Sequence, residues 1–133
     1  MTLYMLDTNI ISDLIRNPQG KAAKRLAKVG EDNVCTSIIV AAELRYRCER
    51  SGSERLHRAV EDLLDEMNVL PFDVPADVEY GRVRSRLEAT GKPIGGNDLL
   101  IAAHAQAAGA TIVTTNADEF KRVNGLNVQN WIA

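Results

Sequence analysis

Short apolar runs alternate with longer amphipathic segments along the whole chain, and this alternation constrains the fold more than any other feature. Apolar runs of about four residues between polar clusters are typical of buried strands, whereas apolar residues three and four positions apart are typical of helices. Strands that alternate with helices favour a parallel sheet, because parallel strands need crossover connections. We therefore predict an α/β domain with a mostly parallel central sheet and helices on both faces.

The predicted elements follow one another in a regular order. Strands are predicted at 3–6, 33–36, 69–72 and 111–114, with a last edge strand at 127–128. Helices are predicted at 10–15, 21–29, 37–51, 53–67, from Pro75 onward, at 97–109 and at 117–122. Ser37, Ser53 and Asn97 are predicted as N-caps, because such side chains accept hydrogen bonds from a helix's free N–H groups. Functional groups in such sheets collect beyond the carboxyl ends of the strands.

The length and composition are those of an ordinary globular domain. The chain has 133 residues, of which 45% are hydrophobic and 26% are charged. A chain of this size can bury one core without disulfides or structural metals. No apolar run approaches the length of a membrane span, and the run before Asp7 is too short for an export signal. We expect a single domain over residues 1–133, a cytoplasmic location and no membrane partner.

Cysteines and histidines do not form a recognisable metal site in the sequence. Cys35 and Cys48 lack zinc-type spacing, and neither has a histidine at ligand spacing. We interpret both cysteines as small buried residues. His57 and His104 are interpreted as ordinary helix residues.

The charges are distributed unevenly along the chain. The formal net charge of −2 argues against a protein that grips nucleic acid by bulk charge alone. Residues 61–79 contain seven acids and no base, and the basic residues gather elsewhere. In the helix after Pro75, Arg82 and Arg86 share one face and Arg84 points away. This pair is a candidate for contacts with phosphate or with a protein partner; the alternative is a pair of exposed helix arginines.

Three acids, Asp7, Glu43 and Asp98, lie at the edges of apolar stretches in separate parts of the chain. An acid in such a place is costly to desolvate unless a positive charge compensates it, and one shared divalent cation would compensate all three. Each acid has a simpler alternative: Asp7 can cap a helix, Glu43 can be a surface residue, and Asp98 can be favoured by a helix dipole. Together the three acids favour a metal-dependent hydrolase.

Polar residues near these acids are candidates for supporting roles. Thr8 and Asn9 can hold the Asp7 carboxylate so that it faces a metal, and Ser37 can position water or ligands. A fourth corner of the site can come from Asn116, Asp118 or Glu119. Carboxylate ligands without a histidine or cysteine set favour Mg²⁺ or Mn²⁺ over zinc. Such an ion can activate water and offset charge on a phosphodiester.

Four motifs in order resemble the PIN-domain family. They are Asp7-Thr8-Asn9, Ser37 followed by Glu43-Leu44, the segment IGGNDLLIAAHA at 94–105 and the segment TTNADEF at 114–120. Within that family the chain is most similar to the VapC-type toxins of bacterial toxin–antitoxin modules, and the similarity covers the whole chain. The resemblance implies a PIN-like three-layer sandwich.

The resemblance also implies an activity, partners and site residues. It implies a Mg²⁺- or Mn²⁺-dependent endoribonuclease that cleaves structured RNA, such as transfer RNA, and so inhibits translation. It implies a homodimer that a cognate antitoxin neutralises, with operator DNA contacted only through the antitoxin. By motif match, Asp7, Glu43 and Asp98 take the places of the family's three acids. At a fourth place where an acid is common this chain has Asn116, so Asp118 or Glu119 is expected to substitute.

Three other functions compete with the one that this resemblance implies. A phosphatase of the haloacid dehalogenase type needs a second aspartate two residues after the first, and Asn9 stands in that place. A receiver-like domain needs a late lysine that the chain does not offer convincingly. A PIN-fold binding or regulatory protein, acting mainly through an antitoxin–operator DNA complex, stays open, because three intact acids do not prove turnover.

Overall fold

Five strands and seven α-helices alternate along residues 2–133, the part of the chain that the computed structural model describes. The strands are β1 (Leu3–Leu6), β2 (Val34–Ser37), β3 (Asn68–Leu70), β4 (Ala110–Val113) and β5 (Val128–Gln129). The helices are α1 (Thr8–Arg16), α2 (Lys21–Val29), α3 (Ile38–Ser51), α4 (Glu54–Glu66), α5 (Ala76–Ala89), α6 (Gly96–Ala108) and α7 (Ala117–Phe120). A 3-10 turn covers Glu31–Asn33. None of these helices is long and apolar enough to cross a bilayer. The predicted alternation of strands and helices is confirmed.

All five strands form one parallel sheet in the order β3-β2-β1-β4-β5. β1 lies in the centre, where Leu6 is in register with Thr36 of β2 and with Val113 of β4. The chain first builds the sheet from β1 outward to β3, then returns to add β4 and β5 on the other side. The order therefore reverses between β1 and β4, and ligands in such sheets bind beyond the carboxyl ends of the strands at that point.

The central strands are buried on both faces of the sheet. Every residue of β2 and of β4 is buried, which requires helices on both sides to exclude water. Large side chains from strands and helices meet in this core, among them Met5, Ile10, Ile101 and Phe120. The predicted sandwich of helices around a sheet is confirmed. One core cluster includes residues from Met5 to Trp131. This supports our proposal of a single domain over residues 1–133, of which residue 1 lies outside the described part of the chain.

Both cysteines lie in this core, as predicted. Cys35 and Cys48 are buried free thiols. Burial raises the pKa of the Cys35 thiol to about 11, so that thiol stays protonated at neutral pH. A protonated, buried thiol is a poor nucleophile and a poor metal ligand.

Local signals fix both ends of α3, the helix that carries Glu43. Ser37 caps its start as predicted, because the Ser37 hydroxyl oxygen accepts a hydrogen bond from the Ile39 N–H at 3.0 Å. Gly52 ends the helix in the left-handed region, with φ of 65°, where a side chain would be strained. Because both ends of α3 are fixed, the position of Glu43 relative to the sheet is fixed as well.

The predicted N-cap of α6 is wrong. This helix begins at Gly96 with Gly95 as its N-cap, whereas Asn97 was predicted to cap it. The Gly95 carbonyl accepts from the Leu99 N–H at 2.8 Å, and the Gly95 N–H donates to Glu119 Oε1 at 2.9 Å. A carboxylate from another helix thus holds the Gly95 backbone, which no local pattern could predict. The other bounds differ from prediction by a few residues, as is usual for element ends.

Phe120 anchors the short helix α7, and its side chain is fully buried. We expect Phe120→Ala to lower the free energy of unfolding by about 3–5 kcal/mol, because the truncation removes buried apolar area and leaves a cavity. Urea denaturation followed by circular dichroism measures this change. Lys121→Ala, at the exposed neighbouring position, is the control and should change stability by less than about 0.5 kcal/mol. Equal stabilities of the two variants would contradict this packing.

Candidate active site

Four carboxylates converge beyond the carboxyl ends of the central strands. Asp7 follows β1, Glu43 lies in α3, Asp98 lies in the first turn of α6, and Glu119 lies in α7. The negative charges of Glu43 and Glu119 both raise the pKa of Asp7. Asp98 experiences the charges of all three other acids. These four side chains form one electrostatic group, which we call the acid cluster.

Asp7 is the most firmly held member of the acid cluster. Its side chain is only 2% exposed. Oδ1 accepts from the Thr8 N–H at 2.8 Å, and Oδ2 accepts from the Thr114 hydroxyl at 2.7 Å. Burial raises the pKa of Asp7, while the hydrogen bonds from Thr114 and Thr8 lower it. Asp7 is also the N-cap of α1, so its capping role and its place in the acid cluster coexist.

Glu43 is oriented by a neighbouring helix. The Thr8 hydroxyl of α1 donates to Glu43 Oε1 at 2.9 Å. Glu43 is half-buried on α3, and its charge acts on both Asp7 and Asp98. The alternative of an isolated surface glutamate is therefore wrong.

Asp98 and Glu119 interact directly within the acid cluster. Burial, the hydrogen bond with Glu119 and the charges of the other three acids together raise the pKa of Asp98 from its ordinary value of 3.8 to about 7. Glu119 Oε1 meanwhile accepts from the Gly95 N–H at 2.9 Å, which fixes that side chain. A proton on Asp98 relieves the repulsion among these carboxylates, as a bound cation would.

The structure distinguishes among the three candidates for the fourth corner. Glu119 is half-buried within the acid cluster. Asp118 is exposed, and within residues 2–133 its side chain forms no hydrogen bond and no ion pair. Asn116 is also exposed, and its backbone N–H donates to the Thr114 hydroxyl oxygen at 3.0 Å. Glu119 is therefore the candidate that the fold brings to the other acids.

Two supporting residues have roles that differ from those predicted. Asn9 does not hold the Asp7 carboxylate; Asn9 Oδ1 accepts from the Thr115 N–H at 3.0 Å and ties α1 to the loop after β4. Ser37 is fully buried, and its hydroxyl lies 2.7 Å from His104 Nδ1, so it does not face solvent water. Both side chains therefore hydrogen-bond other parts of the protein: Asn9 bonds the loop after β4, and Ser37 bonds His104 of α6. Thr8 does support Asp7, but through its backbone N–H.

Two residues with positioning roles were not predicted from the sequence. The sequence analysis places Thr114 at a strand end and in the TTNADEF motif without a role of its own, yet its hydroxyl donates to Asp7 where the strand order reverses between β1 and β4. His104 was interpreted as an ordinary helix residue, yet its buried ring bonds Ser37 and lies edge-on to Phe72 at 5.4 Å between ring centroids. Burial lowers the pKa of His104, so the ring is neutral at neutral pH. The available signal for Thr114 was a polar residue directly after an apolar strand.

The donor set fits a hard divalent cation better than a soft one. The acid cluster offers carboxylate oxygens alone, the ligands that Mg²⁺ and Mn²⁺ prefer. Within residues 2–133, no three Asp, Glu, His or Cys side chains are arranged closely enough to hold a metal ion between them. Mg²⁺ keeps several waters and needs only one or two carboxylates. Burial and the charges of the neighbouring acids raise the pKa values of Asp7 and Asp98, and a bound cation would offset both effects.

Comparison with known proteins identifies the family. The sequence matches the PIN domain family over residues 4–126, a range that includes all four members of the acid cluster. The chain belongs to the PIN-domain family. It is 36% identical to the tRNA(fMet)-specific endonuclease VapC of Shigella flexneri, over 98% of this chain and 99% of that protein. It is 38% identical to Ribonuclease VapC2 of Rickettsia felis, over 97% of this chain and 98% of that protein.

Solved PIN-domain structures agree with this membership. The crystal structure of DNA-bound VapBC from Salmonella typhimurium contains a chain that matches with a TM-score of 0.91 at 34% identity, covering 98% of this chain and 99% of that one. The predicted similarity to VapC-type PIN-domain proteins and the predicted fold are thus confirmed. Membership of this family excludes the haloacid dehalogenase and receiver alternatives.

The raised pKa of Asp98 predicts a pH-dependent stability. Folded Asp98 keeps its proton up to about pH 7, whereas the ordinary value is 3.8. Between these values the folded state binds more protons than the unfolded state, so without a metal this group makes stability fall as pH rises. We expect Asp98→Asn in EDTA to have a smaller fall in Tm between about pH 5 and about pH 8 than the wild type has.

Thermal unfolding by calorimetry at the two pH values checks this expectation. Asp118→Asn is the matched control, because Asp118 is an exposed acid outside the acid cluster. The Tm of Asp118→Asn should fall between the two pH values by as much as the Tm of the wild type does. Added Mg²⁺ should raise the Tm of the wild type more at the higher pH, because the cation competes with the proton on Asp98. An identical pH dependence in Asp98→Asn and wild type would contradict the raised pKa of Asp98.

Proposed function

We propose that this PIN-domain protein is the toxin of a toxin–antitoxin module, an endoribonuclease that cleaves structured RNA and so inhibits translation until a cognate antitoxin neutralises it. The observation that carries this proposal is the acid cluster of Asp7, Glu43, Asp98 and Glu119 in a chain of this family. The relatives named as VapC nucleases are similar over nearly their whole length, which supports the same activity here.

We propose Mg²⁺ or Mn²⁺ as the cofactor. The residues that would hold it are Asp7, Glu43 and Asp98, with Glu119 as a fourth, direct or water-mediated ligand. The ion, when bound, supplies positive charge to a phosphate oxygen and lowers the pKa of a water molecule. The excess negative charge of the acid cluster supports this assignment.

The chain's own residues prepare the site for hydrolysis of a phosphodiester. Thr114 and the Thr8 N–H hold both oxygens of Asp7, and the Thr8 hydroxyl holds Glu43, so these two carboxylates are positioned before RNA arrives. In the reaction, a water oxygen forms a bond to phosphorus and the bond from phosphorus to the leaving ribose oxygen breaks. The water loses a proton and the leaving oxygen gains one. Because its pKa is raised, Asp98 must lose its proton before its carboxylate can bind a cation.

We propose transfer RNA, and initiator transfer RNA in particular, as the leading substrate. Support comes from the relative in Shigella flexneri, named as specific for tRNA(fMet), at 36% identity. This function places the protein in the cytoplasm, where translation takes place.

The proposed partners are a cognate antitoxin, a second copy of this chain and, through the antitoxin, operator DNA. One chain of the DNA-bound VapBC structure resembles this protein, which supports the antitoxin and the DNA contact. The net charge of −2 disfavours a direct grip on DNA by this chain alone. Exposed large apolar side chains support a protein interface; they are Ile38, Tyr46, Val74 and Val78.

A second candidate function is a PIN-fold regulatory protein that acts mainly through an antitoxin–operator DNA complex. The DNA-bound VapBC structure favours it. The two functions differ in what the isolated chain does, because only the nuclease needs the acid cluster to be intact. An isolated chain that binds antitoxin but cleaves no RNA would favour the regulatory function.

The proposed activity is tested by incubating antitoxin-free protein with total bacterial RNA and Mg²⁺ or Mn²⁺. We expect discrete fragments that disappear with EDTA. Asp7→Asn and Glu119→Gln should each lower the cleavage rate at least about 100-fold, because each removes a charge from the acid cluster. Asp118→Asn, one residue from Glu119 but exposed, should cleave at the wild-type rate.

Gel electrophoresis of the RNA, with sequencing of the fragment ends, measures the rate and the cut position. Circular dichroism confirms that each variant is folded. A folded wild-type protein that cleaves nothing with either ion would overturn the nuclease proposal. Equal activity of Glu119→Gln and Asp118→Asn would remove Glu119 from the site.

Thr114 offers a separate test of how Asp7 is tuned. Thr114→Val replaces the hydroxyl that donates to Asp7 Oδ2 with a methyl group of similar size. Because that hydrogen bond lowers the pKa of Asp7, its loss should raise this pKa and move the acid limb of the cleavage-rate profile upward by about one pH unit. Thr115→Val, at the exposed next position, is the control. An unshifted profile in Thr114→Val would show that this hydroxyl does not tune the site.

A further inference from the structure

Three arginines line one cleft outside the acid cluster. The cleft lies between α5 and the segment that follows α7, and its charged residues are Arg82, Arg86, Arg122 and Glu79. Three guanidinium groups and one carboxylate give the cleft a net charge of +2. We call it the arginine cleft. Arg82 and Arg86 share this face as the sequence predicted, and Arg122 joins them only in the folded chain.

The positive charge of the arginine cleft is largely uncompensated. Arg82 is 3.3 Å from Glu79 in an exposed ion pair. Arg86 forms no ion pair within residues 2–133. Arg122 donates to the Pro93 carbonyl at 3.0 Å, which orients the guanidinium without neutralising its charge. Guanidinium groups without acidic partners are available to bind an anion.

The arginine cleft and the acid cluster are linked through the loop before α6 and the end of α7. Glu119 and Arg122 are three residues apart at the end of α7. Glu119 accepts from the Gly95 N–H, and Arg122 donates to the Pro93 carbonyl, so both bond the loop that leads into α6. Arg122 therefore connects the loop beside Glu119 to the cleft that it shares with Arg86.

We propose that the arginine cleft binds phosphate groups of the RNA strand next to the scissile bond. This inference rests on the proposed nuclease function and extends it to a second subsite. Four carboxylates repel a polyanion except where a cation neutralises them, so a neighbouring positive cleft is needed to hold the strand. Guanidinium groups bind phosphate oxygens in pairs, and phosphate contacts carry no base preference. The subsite therefore supplies affinity and register, while RNA shape and the acid cluster decide where cleavage occurs.

The test compares Arg86→Gln and Arg122→Gln with Arg84→Gln. Arg84 lies on the same helix as Arg86, is equally exposed and pairs with Glu88 and Tyr80 outside the cleft. All three positions are exposed, so the substitutions do not disturb the core. Binding is measured by fluorescence anisotropy in a cleavage-deficient Asp98→Asn background, with labelled polyuridylate and with bulk transfer RNA, over a series of salt concentrations.

We expect Arg86→Gln and Arg122→Gln each to weaken binding of both RNAs about tenfold, and Arg84→Gln to leave it unchanged. For polyuridylate, the slope of log affinity against log salt should become shallower by about 0.7 for each arginine removed. In the cleavage-competent protein, Arg86→Gln should raise KM and leave kcat unchanged, because the subsite does not touch the reacting atoms.

The remaining outcomes would contradict the proposal in different ways. Equal RNA binding by Arg86→Gln and Arg84→Gln would overturn the subsite even if the wild type cleaves RNA. Absence of RNA binding by the Asp98→Asn protein, without any arginine substitution, would overturn it as well. If polyglutamate, a probe for an acidic protein segment, loses affinity in Arg86→Gln while RNA does not, the cleft binds a protein partner and the RNA subsite is wrong. If the wild type cleaves nothing but RNA binding depends on Arg86, the subsite stands and the nuclease proposal falls.

Discussion

The hydrogen bond from the Thr114 hydroxyl to Asp7 Oδ2, 2.7 Å long, is the interaction on which the rest of the site depends. It joins the carboxyl ends of the neighbouring strands β1 and β4, between which the strand order reverses. Asp7 is buried, so a carboxylate there persists only if its oxygens have donors. Thr8 then links Asp7 to Glu43, because its N–H bonds one acid and its hydroxyl bonds the other.

The acid cluster is assembled at a cost in stability that a cation can offset. Asp98 has its pKa raised to about 7 by burial, by Glu119 and by the remaining acids, so the metal-free protein relieves repulsion by keeping a proton. A site with this property binds a cation more tightly as pH rises. The arginine cleft carries the opposite charge, and Arg122 of the cleft and Glu119 of the acid cluster both hydrogen-bond the loop before α6. A phosphate chain bound as we propose contacts the arginines of the cleft and, through a metal, the carboxylates.

Much of the fold was predictable because its signals are local. Four-residue apolar runs and the Ser37 cap specified strands and the start of α3 within a few residues. The predictions failed where a distant group decides the local structure. Asn97 is a good capping residue by type, yet Glu119 holds the Gly95 backbone and α6 starts there. Asn9 and Ser37 were assigned to the site, and each bonds the scaffold instead.

The sequence by itself determined the alternation of strands and helices, the acids Asp7, Glu43 and Asp98 and the common face of Arg82 and Arg86, because each depends on residue type and short-range spacing. Only the tertiary structure decided that Glu119, rather than Asp118 or Asn116, joins the acid cluster, and that Arg122 joins the arginine cleft. The physical reason is that adjacent residues on a short helix point in different directions. Which direction faces the site depends on how buried Phe120 docks α7 against the sheet.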